Sequence, residues 1–447
     1  MIDLVVRNGK LVIPGVDIMK ADVSVENGKI SQIGANLGTA REEVDATGKF
    51  VIPGIFDPHT HMGIFGDLAA EFDTETKSAL IGGVTTVGCF MGGPDSYLGS
   101  FRNVIELAES KVWTDIVFHL GIMTPVQQQE MEDYVRTFGI TSFKMYMSGI
   151  PGLIPDVDDG FLYETFKKVA AMGGVICVHA ENAAIVNSAT TVLQAAKPDG
   201  TLADWSDSHP NSAEEEAAIR ASYFAKLAGC RLYLVHISTR EAVEALAGIK
   251  QGYDKVYVET TSPYLSINKH NDKGLVAKMV PPFREEESVE ALWKGVQSGV
   301  VDTIGTDNVT QTMAVKGAEK GMWGAMPGYP ALGTHLPVAL HYGVNEQGLD
   351  LLKVVDAMTR RPAQIFGLYP RKGTIAPGSD ADLVLVDMDL EKTVDHSWLG
   401  STSDFSLYDG VTLKGWPVMT IKGGRVIVRD GQVIEDKRGR YLSRNQE

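Results

Sequence analysis

The chain has 447 residues, 44% of them hydrophobic and 22% charged, with a formal net charge of -16. This is an ordinary globular composition, and its acidity argues against a general nucleic-acid surface. No apolar run reaches membrane-spanning length, and the opening MIDLVVRNGKLV lacks the basic start and long apolar core of a signal peptide. The expectation is a cytoplasmic protein with neither nucleic-acid nor membrane partners. Cys89, Cys177 and Cys230 share no metal-type spacing and read as small buried hydrophobes in a reducing compartment.

Residues 1–50 read as short strands joined by turns, with Asn8-Gly9 and Asn27-Gly28 as hairpin signals. Over 51–367 the texture changes. Strand-like apolar runs at 50–57, 84–91, 115–121, 142–147, 174–180, 231–238, 255–260 and 301–307 alternate with helical patterns such as 102–110, 161–172, 213–227 and 285–297. Eight strand runs, most followed by a helix, predict an α/β protein built on a closed TIM-like (β/α)8 barrel. An open doubly wound sheet has the same order of elements. Residues 368–435 return to turn-rich β patterns, so both termini are expected to form one small β-sandwich domain beside the barrel. Residues 436–447, with Lys437, Arg438, Arg440 and Arg444, read as a polar, solvated tail or an arm laid on a neighbouring subunit.

Barrels of this kind carry their chemistry at the C-terminal ends of the strands. His59 and His61 close the first run two residues apart, and so on one face of a strand. A single His-x-His pair is a weak signal. Lys144, however, lies in the fourth run, His179 ends the fifth, His236 the sixth and Asp307 the eighth. Five residues of metal-ligand type and one lysine on one rim are hard to explain as separate core or edge residues. The other histidines, His119, His209, His270, His335, His341 and His396, read as ordinary structural residues.

Several segments extend this pattern: Ile52-Pro53-Gly54-Ile55-Phe56-Asp57-Pro58-His59-Thr60-His61, Gly82-Gly83-Val84-Thr85-Thr86-Val87, Phe143-Lys144, Val178-His179-Ala180-Glu181-Asn182, Val235-His236-Ile237-Ser238, Val258-Glu259-Thr260, Pro281-Pro282-Phe283-Arg284, Ile304-Gly305-Thr306-Asp307 and the closing Ile375-Ala376-Pro377-Gly378-Ser379-Asp380-Ala381-Asp382-Leu383-Val384. Jointly the chain resembles, nearly end to end, the cyclic amidohydrolases of the dihydropyrimidinase, hydantoinase and allantoinase group within the amidohydrolase superfamily. The resemblance implies two zinc ions per chain, with manganese or cobalt as substitutes. His59, His61 and Asp307 would hold one ion, and His179 and His236 the other. Lys144, carboxylated by CO2, would bridge them. A carbamate offers anionic oxygens where a protonated amine would repel a dication, and zinc accepts nitrogen and oxygen ligands. The implied reaction opens a small cyclic amide or ureide with a zinc-bridged hydroxide, Asp307 passing a proton from the attacking oxygen to the leaving nitrogen. A homo-oligomer, dimer or tetramer, is expected.

Four positions depart from the family pattern. Gly149 stands where a tyrosine follows the bridging lysine by five residues, Val280 where a serine precedes the Pro-Pro pair, Pro327 where an asparagine meets the ring, and Asn308 where a histidine follows the aspartate. Backbone contacts from Val280 survive such a change, whereas side-chain contacts from Gly149 and Pro327 do not. Tyr146, on the strand face of Lys144, is either a substitute for the missing hydroxyl or a packed aromatic. Met62, Ile64 and Phe65, with Met322, Trp323 and Met326, are expected to make the pocket apolar. Phe65, Tyr146, Gly149, Val280 and Pro327 are the expected substrate contacts. The expected substrate is a hydantoin-like ring with a bulky apolar substituent. Hydrolysis of allantoin, a dihydropyrimidine, a cyclic imide or a linear amide is the alternative. A non-catalytic assembly protein of the same fold is the remaining one, although such relatives usually lose the ligands and all six positions are present here.

Overall fold

The computed structural model describes residues 1–149, 154–435 and 439–444. Its centre is a ring of parallel strands in sequence order: Ile55–His61, Val84–Met91, Asp115–Gly121, Ser142–Tyr146, Val175–His179, Arg231–Leu234, Val256–Thr261, and an eighth strand in two halves, Thr303–Gly305 and Asn308–Val309. The first half pairs with the seventh strand (Glu259 opposite Thr303) and the second with the first strand (Asn308 opposite Thr60). This closes the barrel and excludes the open sheet. The strands are buried nearly throughout, as expected where the lumen covers one face and helices the other. Helices Asn211–Ala228 and Glu286–Ser298 both end at a glycine in the left-handed region, Gly229 (φ 70°) and Gly299 (φ 81°), which an L side chain resists.

The run expected at 50–57 divides at Gly54. Phe50–Pro53 pairs parallel to the N-terminal strand Ile2–Ile13 and antiparallel to the C-terminal strand Leu383–Thr393. It therefore belongs to a nine-stranded sheet drawn from both ends of the chain. A Cβ at Gly54 would lie 2.1 Å from Thr85 Oγ1, so only glycine passes this crossing. Val6, Leu11 and Val23 share one apolar core with Leu383, Leu385 and Ile421. The terminal sheet is thus folded over into a sandwich built from both termini.

The two units are joined by a buried ion network. Asp115, at the start of the third barrel strand, accepts from Lys372 Nζ at 2.6 Å and Lys422 Nζ at 2.7 Å, and Lys372 also reaches Asp382 at 2.5 Å and Asp380 at 3.0 Å. Burial alone would raise the Asp115 carboxyl, but Lys372 and Lys422 hold it below the usual carboxylate range. Asp115→Asn should cost about 3–5 kcal/mol, the usual result of removing one partner from a buried pair. The wild-type contribution is complete above the unfolded carboxylate pKa and is lost as pH falls through the lower folded value. Denaturant unfolding at pH 7 checks this. A loss under about 1 kcal/mol would show that the two ammonium groups are satisfied elsewhere.

The solvated tail is not what residues 439–444 form. Leu442 N donates to Ile116 O at 2.9 Å, Ile116 N to Arg440 O at 3.0 Å, and Arg444 N to Gly139 O at 2.9 Å. The Arg444 guanidinium is buried and donates to Ser142 Oγ at 2.6 Å and to Phe118 O. Leu442 is buried in one apolar cluster and the partly buried Tyr441 packs against another, so two apolar residues inside a basic stretch dock it on its own barrel. Lys437 and Arg438 lie outside the described residues. Among the described residues no helix is long and apolar enough to cross a membrane.

Candidate active site

The first strand presents His59 and His61 at its C-terminal end, and Asp307 occupies the break in the eighth strand. Asp307 Oδ1 lies 3.1 Å from Nε2 of both His59 and His61, and those two nitrogens are 3.3 Å apart. One ligand atom from each residue lies within 4.8 Å of the others, close enough for one ion to meet all three. Asp307 has φ 53° and His236 has φ 42°. Non-glycine residues in this region are uncommon and gather at functional sites. At Asp307 the conformation has a visible cause, since there the strand changes its pairing from the seventh strand to the first. Asp57 bolts the same junction, accepting from Thr306 Oγ1 at 2.6 Å and from the His59 amide at 3.1 Å.

His179 and His236 form the neighbouring pair. His179 Nδ1 lies 3.0 Å from His236 Nε2, and the His236 ring stacks 5.4 Å from that of His59. Buried carboxylates orient these rings from behind. Glu259 Oε2 is 2.7 Å from His59 Nδ1 and accepts the His236 amide at 3.0 Å. Glu181 Oε2 is 3.0 Å from His179 Nε2, while its Oε1 is 2.9 Å from His209 Nδ1. Each carboxylate occupies one ring nitrogen and leaves the other facing the site, a common arrangement behind metal-ligating histidines. In the sequence Glu181 and Glu259 stand within motifs without an assigned role, and His209 reads as an ordinary structural residue. His209 is instead buried and braces Glu181. The signals were available: Glu181 shares the strand parity of His179, and Glu259 lies at the rim end of the seventh run.

Charge is sharply partitioned here. Burial works to lower His59, but Glu259 and Asp307 raise it to about 9. Burial works to raise Asp307, but His59 and His61 hold it well below the usual carboxylate range. Burial, with the charges of His179 and Lys144, pushes His236 well below the usual histidine value. Lys144 is buried, with Nζ 4.9 Å from the Phe90 ring centroid and 5.0 Å from that of Tyr146. Burial lowers its ammonium to about 8 despite the charge of Asp307. Four imidazoles, a carboxylate and an amine able to shed its proton near neutrality make a donor set suited to divalent metal.

These groups open into a cavity of about 500 Å³. His61, Lys144, His179, His236 and Asp307 line it, together with Met62, Ile64, Phe65, Tyr146, Val280 and Pro327. Sequence reasoning missed Phe90, Met91, Met123, Ile154 and Met279, which line it too. Gly149 is not among the described lining residues. Its amide donates to Asp156 Oδ1 at 2.6 Å, and a Cβ there would lie 2.1 Å from Ile154 O. Ile154 and Pro155 line the cavity instead, and no side chain fits at Gly149. Met322, Trp323 and Met326 are also absent from the described lining. Met322 is buried in the core, and Trp323 turns outward, its Nε1 donating to Lys197 O at 2.9 Å. Asn308 Oδ1 accepts the amides of Ala331 at 2.8 Å and Leu332 at 3.3 Å, which fixes the loop behind the site.

Comparison with known proteins agrees with this geometry. A model of the Amidohydrolase family matches residues 50–427. The L-hydantoinase of Paenarthrobacter aurescens is 34% identical over 99% of this chain and 98% of its own length. The allantoinase of Rubrobacter xylanophilus is 34% identical over 98% of this chain and 97% of its own. The solved structure of the L-hydantoinase (dihydropyrimidinase) from Arthrobacter aurescens superposes with a TM-score of 0.93 at 33% identity, covering 99% of both chains. The motif set, the closed barrel and the histidine–aspartate rim therefore have one common explanation: the chain belongs to the amidohydrolase family.

Proposed function

We propose that this hydrolase opens hydantoin-like rings bearing a bulky apolar substituent, with two divalent metal ions, zinc by preference. The observation that carries the reading is the convergence of four histidines, Asp307 and a buried lysine at a cavity walled by Met62, Phe65, Phe90 and Met279. His59, His61 and Asp307 would hold one ion, His179 and His236 the other, and the carbamate of Lys144 would serve both. When bound, the ions would bring the pKa of a shared water toward about 7 and polarise the ring carbonyl.

The protein's own groups supply the rest. Asp307 takes the proton of the attacking water and returns it to the ring nitrogen as the C–N bond breaks. Water is thereby added across that bond, leaving a carboxylate and a carbamoyl group on one product. Glu259 and Glu181 keep the imidazoles in register. The lowered ammonium pKa of Lys144 gives it a free-amine fraction at neutral pH, and that amine adds to CO2 and loses one proton to become the carbamate. Tyr146 is the one tyrosine among the described lining residues, which supports a role for its hydroxyl at the substrate's carbonyl oxygen. Three buried free thiols, Cys89, Cys177 and Cys230, support a reducing, cytoplasmic setting. We further assign a homo-oligomeric state, which sedimentation velocity would measure.

The substrate reading is tested by kcat/KM for a benzyl- or indolylmethyl-hydantoin against dihydrouracil and allantoin, with metal content measured on the same preparation. Covering about 100 Å² of apolar substituent at roughly 25 cal/mol per Å² is about 2.5 kcal/mol, or about 70-fold. The substituted hydantoin should lead by that order, with about two metal ions per chain. Dihydrouracil or allantoin as the best substrate would overturn the choice of ring.

A further inference from the structure

Two lysines beside the cavity, Lys278 and Lys316, are buried, and neither forms an ion pair among the described residues. Lys278 Nζ donates to Ala325 O at 2.6 Å and Trp323 O at 3.3 Å. Lys316 Nζ donates to Gly328 O at 2.6 Å and to Lys278 O at 3.3 Å. The Gly328 amide in turn donates to Lys278 O at 2.9 Å. Each lysine thus crosses between the same two segments, one carrying Met279 and Val280, the other carrying Pro327. All three of those residues line the cavity.

We propose that Lys278 and Lys316 are a pair of positioning residues, a clamp that sets the gap between Met279-Val280 and Pro327 and so determines which ring substituents the enzyme accepts. The proposal rests on the substituted-hydantoin reading of the cavity. Its physical basis is that each ammonium sits between two backbone carbonyls, Trp323 O and Ala325 O for Lys278, Gly328 O and Lys278 O for Lys316. An ammonium carries three donors and no acceptor, so it suits a place between two such acceptors. Burying such a group without a counter-charge is costly. The cost shows in the protonation equilibria: burial lowers Lys278 to about 8, and burial together with the neighbouring charge of Lys278 lowers Lys316 to about 7. Neither lysine lines the cavity or contacts the proposed metal ligands among the described residues, so the cost is not explained by direct chemistry.

The surroundings brace the clamp from both sides. The Lys278 ammonium lies 4.0 Å from the Trp205 ring centroid, and Trp205 Nε1 donates to Met279 O at 2.7 Å. Gln311 Nε2 donates to Pro327 O at 3.1 Å. Met279 and Pro327 are therefore fixed at their backbones while both line the cavity. That is the arrangement a selective apolar wall requires.

The test uses the metal-loaded enzyme with Lys278→Met and Lys316→Met, singly and together. KM and kcat are measured separately for benzylhydantoin and for unsubstituted hydantoin. KM for benzylhydantoin should rise by about 10-fold or more in each single variant, while kcat for the unsubstituted ring falls by no more than about threefold. The double variant should lose less than the product of the two single losses, because the lysines share one cluster. Equal losses on both rings, or no change on either, would overturn the clamp. If a methionine variant does not fold, Lys278→Gln and Lys316→Gln, which keep a donor on a shorter arm, give the same comparison. If the wild type turns over neither hydantoin, the substrate reading fails instead. The clamp is then judged on hydrogen exchange of the Gly328 amide, which should quicken about 10-fold or more in Lys316→Met and would overturn the proposal by staying unchanged.

Discussion

Lys144→Ala is expected to remove turnover and to reduce bound metal to one ion or fewer per chain. In the proposed site, His59 and His61 share their ion with an anionic ligand, Asp307, whereas His179 and His236 have no anionic ligand beside them except the carbamate of Lys144. Without it, two neutral imidazoles would have to retain a dication on their own. The loss should reach at least about 10³-fold, beyond the roughly 10–100-fold typical of residues that merely support a ligand. Acetate or propionate should restore part of the rate by placing a free carboxylate in the space vacated beside Phe90 and Tyr146. Elemental analysis and kcat with and without the added acid check both parts, and circular dichroism confirms that the barrel is intact. Normal metal content and normal rate would make Lys144 an ordinary lumen residue.

Much of the architecture was legible because the barrel writes itself into the sequence as apolar runs alternating with helical periodicity. The ligand-type residues stood out because each lies at the end of such a run. The role of the boundary at Gly54 was not legible. Pro53-Gly54 marks a break in the apolar segment from Phe50 to Phe56, but nothing in it says that its first four residues pair with Leu383–Thr393, more than 300 residues away, rather than with the barrel. Glu181 and Glu259 escaped assignment because a carboxylate near a histidine in sequence has the same appearance whether it faces a ring nitrogen or solvent. The pocket walls were legible only where they adjoin the metal motif. Met62, Ile64 and Phe65 follow His61 directly and do line the cavity. Trp323 and Met326 were assigned from their place after Asp307, but the loop that carries them turns Trp323 toward Lys197 and is tied to Lys278 by contacts that sequence spacing does not reveal. The docked end of the chain was misread for a related reason: its basic composition conceals the fact that Arg444 satisfies a buried carbonyl and hydroxyl at the foot of the barrel.

Asp307→Asn separates proton transfer from structure. Asparagine tolerates a positive φ at least as well as aspartate does, so the backbone at φ 53° and the change of strand pairing should persist. Its side-chain oxygen can still face His59 and His61. What the amide cannot do is hold a negative charge or accept the proton of an attacking water. In the wild type that charge is secured against burial by His59 and His61, so Asp307 remains ionised across the neutral range. Any acidic limb set by this base should therefore lie below the ordinary carboxylate range. The variant should lose at least about 10²-fold in kcat, the low end for removing an acid–base group, and its pH-rate profile should lack that acidic limb. Circular dichroism should show the barrel intact, so that the loss belongs to the chemistry. A variant with near-native kcat, or one that keeps the same acidic limb, would take the proton-transfer role away from Asp307 and leave it as a ligand alone.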